Sequence, residues 1–141
     1  AVFANLLAFI GLKESYAPGR GGWKDRPFEV NPLSHSRSRY EKIRFLELNS
    51  PETRMGGVTV NWANEAFKSE RVLFEKTGAL TSPITIFQAG KEALVSNEKQ
   101  ATLCDQVASC KLLLFKKSKH NFLQEKDEFR VPFMNYLKRS L

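Results

Sequence analysis

Two side chains in this 141-residue sequence have the types and placement to act as an acid and a base: Glu92, in the stretch QAGKEALVSN, and His120, in the stretch KKSKHNFLQEKD. A carboxylate beside an imidazole fixes the ring's tautomer and stabilises the imidazolium, so the ring can serve as a general base. Such a pair activates a nucleophile but is not one. What these two loops lack is a nucleophile.

The elements around the two loops explain why they should meet. Pro83 to Gln88 (PITIFQ) is a short β-branched and aromatic run closed by Ala89-Gly90, the pattern of a buried strand. Asn97 to Ser109 carries helix formers with an apolar stripe at Ala101, Cys104, Val107 and Ala108. Lys111 to Phe115 (KLLLF) reads as a second strand of the near-continuous apolar kind found in parallel sheets. Glu125 to Leu141 gives a closing helix with Phe129, Phe133, Tyr136, Leu137 and Leu141 inward, and Pro132 must lie in its first turns or kink it. A strand-helix-strand unit makes a parallel pair whose loops after the strands, those of Glu92 and His120, emerge on one rim. Two parallel strands leave two apolar faces and two open edges. The expected fold class is therefore α/β, with two parallel strands and flanking helices forming the closing edge of a larger layered sheet whose opening strands lie outside this chain.

The front half is helical and loop-like. Leu6, Leu7, Phe9 and Ile10 suit one face of a short helix, and the Gly/Pro-rich stretch from Ala17 to Pro27 is a loop. Ser34 and Ser36 are caps for a helix bearing Tyr40, Ile43, Phe45 and Leu46, which stops before Asn49-Ser50-Pro51. After Gly56-Gly57, Trp62, Ala66, Phe67, Leu73 and Phe74 recur at helical spacing and Gly78 marks the exit, which predicts a well-packed amphipathic helix with Trp62 in the core. His35, beside the caps, is assigned a structural role.

Composition narrows the function classes. A hydrophobic share of 42% against 26% charged residues is too apolar for an extended disordered chain. The net charge of +7 favours anionic partners. Its two clusters, Arg37/Arg39/Lys42/Arg44 and Lys116/Lys117/Lys119, lack the aromatic interleaving of nucleic-acid binders, so no nucleic-acid partner is expected. The apolar run Ala1 to Leu12 is interrupted by Asn5 and falls short of the roughly 20 residues that cross a bilayer. It also lacks a signal peptide's basic leader and cleavage site, and the initial Ala reads as a missing start. Two cysteines supply neither a disulfide framework nor a zinc site; Cys104 and Cys110, six apart across a helix end, leave pairing open, but free buried thiols in a reducing compartment are the expectation, with no metal or cofactor.

A resemblance sharpens this. The segment NPLSHSRSRY (Asn31 to Tyr40), preceded by GRGGWKDRPFEV and followed by RMGGVTVNW (Arg54 to Trp62), resembles the cap and post-cap region of bacterial lysophospholipases of the L-two type, relatives of monoglyceride lipases. Their pattern is close to N-x-L-T-H-S-x-x-R-Y, then R-x-G-G-P-T, then a Trp-bearing helix; here Ser34 replaces Thr and Val58 replaces Pro. The family's acid loop and its H-E-x-x-x-E-K-D loop correspond to QAGKEALVSN and HNFLQEKD, with Asn121 where Glu is usual. The resemblance covers essentially the whole chain.

It implies the C-terminal portion of an α/β-hydrolase fold: a helical cap segment over residues 1–50 and the end of the core over 51–141. His120 would be the general base and Glu92 the acid that orients it, a Glu where Asp is commoner, and the front half would shape an acyl pocket. The implied activity is serine-hydrolase cleavage of fatty-acyl esters of lysophospholipids or monoacylglycerol-type substrates. The nucleophile would come from a missing N-terminal hydrolase portion, and the chain alone would be inactive. The implied location is cytoplasmic, with peripheral contact to an anionic bacterial inner-membrane surface. The alternative is a non-catalytic remnant or accessory subunit that binds a partner or lipid.

Overall fold

The computed structural model describes residues 11–140, so the expected helix at Leu6 to Ile10 and the terminal Leu141 lie outside the described residues. In chain order the elements are α1 (Arg37–Asn49), α2 (Val60–Glu75), β1 (Ile84–Ala89), α3 (Asn97–Gln106), β2 (Cys110–Phe115) and α4 (Asp127–Ser140). Short 3-10 turns occupy Phe28–Val30, Pro51–Thr53, Thr77–Ala79 and Phe122–Gln124.

Strands β1 and β2 pair in parallel from Ile84 opposite Cys110 to Ala89 opposite Phe115. Helix α3 crosses between them, and its Ser36-like start is Ser96, whose hydroxyl accepts from Lys99 N. Phe87 of β1 is the hub of the core. It meets Phe133 at 4.8 Å and Tyr136 at 5.2 Å from α4, both edge-on. Phe122, nearly fully buried, stacks on Phe133 at 5.1 Å and meets Phe115 edge-on at 5.0 Å. The periodicity of Phe129, Phe133, Tyr136 and Leu137 thus does put them on the packed side of α4. Pro132 lies inside that helix, in its second turn. Pro has no N–H to donate there, yet the ring packing and the acidic start at Asp127 and Glu128 hold the helix through it.

The front half is stitched by backbone pairing. Ala17 N donates to Val58 O at 2.9 Å and Gly57 N to Gly21 O at 2.8 Å, which brings the Gly-rich loop against the Gly56-Gly57 turn. Gly57 leaves no room for a side chain, since a Cβ there would sit 2.8 Å from the Arg20 Cβ, whereas one on Gly56 would press first on the movable Tyr16 hydroxyl, at 2.9 Å.

Two expectations are corrected. Trp62 is not core: it is 61% exposed, and with it Ala66, Phe67 and Leu73 on the apolar stripe of α2 are exposed, while the helix is buried at Val60 and Asn64 instead. Helical spacing identifies an apolar face but not what covers it. The cysteines are not free: Cys104 and Cys110 form a disulfide with Cα atoms 5.1 Å apart. The chain leaves α3 in two consecutive tight turns, Val107 N to Cys104 O and Cys110 N to Val107 O, so residues six apart fold back upon each other.

Candidate active site

The site is built where the two strands end. Gly90 follows β1 directly, and its N donates to Phe115 O at 2.9 Å, while Lys91 N donates to Ser118 O at 2.9 Å. The two post-strand turns therefore cross in contact. A Cβ on Gly90 would lie 2.1 Å from Lys116 O, so only glycine permits the crossing. Ser118 is fully buried beneath it and donates its hydroxyl to Phe115 O at 3.1 Å. On the other side, Gln88 Nε2 donates to Asn97 O at 2.8 Å and Asn97 Nδ2 to Ala89 O at 2.8 Å, which closes the base of the Glu92 loop.

These contacts bring Glu92 and His120 together. His120 Nδ1 lies 2.8 Å from Glu92 Oε2. The other carboxylate oxygen, Oε1, accepts from Ala93 N at 2.9 Å, Leu94 N at 2.7 Å and Val95 N at 3.4 Å, so the acid caps its own turn and its rotamer is fixed. The extra methylene of Glu over Asp is accommodated by this turn. The Glu92 side chain is 4% exposed and the imidazole 36%. Burial by itself would push the Glu92 carboxyl up, but the hydrogen bonds from Leu94 N, His120 and Val95 N and the imidazole's charge hold it below the ordinary 4.5. An ionised carboxylate accepts only, so Nδ1 carries a proton and donates, and whenever the ring is neutral Nε2 is its basic nitrogen. Among the described residues nothing hydrogen-bonds Nε2.

A second imidazole–carboxylate pair joins the His120 loop to the front half. Glu125, fully buried, accepts from His35 Nδ1 at 2.8 Å, His35 N at 2.9 Å, Lys119 N at 2.7 Å and Lys126 N at 3.0 Å. Its burial raises the carboxyl, and these four hydrogen bonds outweigh that and leave it below the ordinary value. His35 is thus structural, as expected, but through a partner 90 residues away as well as its place beside a helix cap. Glu125 was missed as a functional candidate. The signal was present in NFLQEKD, a carboxylate directly after an apolar turn, where an unpaired charge would be costly. Among the described residues no group of three or more His, Cys, Asp or Glu side chains is arranged to hold a metal ion.

A parallel strand pair with an acid and an imidazole on its carboxyl rim is the layout of the end of an α/β-hydrolase sheet. Residues 13–127 match the serine aminopeptidase S33 family, and the chain belongs to it as a lysophospholipase-like α/β-hydrolase. It is 30% identical to lysophospholipase L2 of Escherichia coli K12 over 126 residues, which cover 84% of this chain and 37% of that protein. It is 28% identical to the probable lysophospholipase L2 of Haemophilus influenzae over 128 residues, 89% of this chain and 40% of that protein. The fold is similar to that of a soluble variant of monoglyceride lipase from Saccharomyces cerevisiae solved with a substrate analog, at a TM-score of 0.67 and 13% identity, over 98% of this chain and 46% of that one. The expected fold class and the family resemblance are borne out. The chain spans well under half the length of the curated relatives it matches.

Proposed function

We propose that the chain supplies the base and the acid of a Ser-His-Glu triad that hydrolyses fatty-acyl esters of lysophospholipids or monoacylglycerols. The observation that carries this reading is the 2.8 Å contact between His120 Nδ1 and the buried Glu92 carboxylate on the rim of a parallel strand pair. In this reading His120 Nε2 takes the proton of a serine hydroxyl as it attacks the ester carbonyl, and returns it to the departing alcohol. Glu92 keeps the ring in the tautomer that makes this possible and stabilises the imidazolium that forms. Water then repeats the cycle on the acyl-enzyme.

The serine comes from an N-terminal hydrolase portion, since these 141 residues carry no G-x-S-x-G. That portion would also meet the exposed apolar residues of α1 and α2, Phe45, Leu46, Trp62 and Phe67. The net charge of +7 suits an anionic phospholipid surface at the periphery of the bacterial inner membrane. Among the described residues no helix is long and apolar enough to cross a membrane.

The test compares release of fatty acid from a lysophospholipid by the 141-residue chain, and by the same chain joined to an N-terminal α/β-hydrolase portion carrying a G-x-S-x-G elbow. Turnover is expected only in the joined form, and His120→Ala should lower it by about 10³-fold or more, because triad members act as a unit. Turnover by the chain alone, or by His120→Ala at an undiminished rate, overturns the reading. A joined form that folds but turns nothing over assigns the chain instead to a non-catalytic, partner- or lipid-binding role.

A further inference from the structure

The loop that carries His120 is fastened to the segment Asn31–Ser36 on both sides of the histidine. Before it, Lys119 N donates to Glu125 Oε1 at 2.7 Å and Lys119 Nζ to Asn31 O at 2.6 Å. After it, Asn121 N donates to Leu33 O at 2.9 Å. Ser34 Oγ donates to Gln124 O at 2.5 Å, and Arg39 bridges Glu125 O and the Asp127 carboxylate. Asn31, Ser34 and Ser36 are themselves buried polar residues, tied locally by Asn31 Nδ2 to Ser34 O at 3.0 Å and Ser36 N to Ser34 Oγ at 2.9 Å. Half of these links join backbone to backbone or backbone to a neutral group, and the rest involve the charged groups of Lys119, Arg39, Asp127 and Glu125. Glu125 differs, because one carboxylate gathers the amide next to His120, the amide and ring of His35, and the amide that leads into α4.

We propose that Glu125, oriented by His35, is a positioning residue for His120: it fixes the amide of the preceding residue so that the imidazole is delivered to Glu92 in register with the crossing of the two rim turns. The inference rests on the triad reading above and adds a distinct part to it. Glu92 sets the ring's tautomer and tilt through Nδ1, whereas Glu125 sets where the loop places the ring. A carboxylate suits this task better than an amide. It accepts at both oxygens and presents no N–H of its own to the gathered donors. Glu125→Gln keeps the shape but turns an NH₂ toward two of those donors, since each oxygen accepts from two, which shifts the loop without removing its packing.

The test uses the protein as its gene encodes it, joined to a G-x-S-x-G portion where the gene supplies none, and has two independent readouts. The first is the downfield proton resonance of the His120 Nδ1–Glu92 hydrogen bond, assigned by its loss in His120→Ala and in Glu92→Gln. In Glu125→Gln it is expected to shift and broaden, and in Ser34→Ala, which cuts the same seam without touching Glu125's hold on Lys119, to stay in place. The second is turnover: Glu125→Gln should lower kcat by about 10- to 100-fold with KM little changed, the cost of a small misplacement of a reacting group, while Ser34→Ala retains kcat. An unchanged resonance in Glu125→Gln, or a parallel fall in both variants, overturns the proposal. If Glu125→Gln does not fold, His35→Ala, which removes the ring and keeps the amide donor, decides by the same signals. Should His120→Ala retain turnover, the triad reading falls while the resonance still decides whether Glu125 positions the ring.

Discussion

Replacing Glu125 by Ala should be among the most damaging single changes in the molecule. Four N–H groups converge on the carboxylate: His35 N, His35 Nδ1, Lys119 N and Lys126 N. The His35 ring is 28% exposed and Lys126 is exposed, so water can replace the lost acceptor for two of the four. The amides of His35 and Lys119 sit in part-buried hydrogen bonds to the fully buried carboxylate, and a donor left unpaired away from water costs about 1–3 kcal/mol. Release of a desolvated carboxylate offsets part of that. A loss of about 3 kcal/mol at pH 7 is expected, a large share of the roughly 5–15 kcal/mol that holds a domain together. The assay is urea unfolding followed by circular dichroism across pH. The folded-state carboxyl lies below its unfolded value of 4.5. Its contribution is therefore complete above pH 4.5 and is lost as the pH falls through the lower folded value. The gap between the native chain and the variant should be flat from pH 7 to 5 and narrow steadily below. A loss under about 1 kcal/mol, or a gap that does not narrow in acid, would refute the account of Glu125 as a charged acceptor.

Two other perturbations probe the rim and the helix end. Gly90→Ala places a methyl 2.1 Å from Lys116 O, which cannot yield as a side chain could; a cost of at least about 1–3 kcal/mol and loss of the downfield Glu92–His120 proton are expected, measured by thermal melting and proton NMR. Reduction of the Cys104–Cys110 bond removes a short loop constraint worth about 2 kcal/mol on chain-entropy grounds. The non-reduced protein should resist thiol alkylation at both positions, and the reduced one should take up two groups and melt at a lower temperature, as mass spectrometry and calorimetry will report.

The parts of this architecture set by local pattern were readable from the residues. PITIFQ and KLLLF announce strands because β-branched, aromatic and aliphatic side chains fill a two-sided buried position, and the strands form within one residue of those runs. Their parallel order then forces the two following loops to one rim, which is why the sequence alone pairs Glu92 with His120. What escaped depends on contacts that no local pattern encodes. The Glu125–His35 pair joins positions 90 apart and exists only once the front segment lies on the His120 loop. The disulfide depends on two successive turns after α3. The stripe of α2 shows the converse failure: Trp62 and Phe67 have the spacing of a buried face, yet here they meet solvent.

The crossing at Gly90 also bears on how such a rim can change over evolutionary time. With Lys116 O seated where a side chain would otherwise project, neither turn can gain bulk or shift by itself without pushing the other. Substitutions there must arise as matched sets across the gap. Length variation among descendants of this chain should accordingly accumulate away from this crossing.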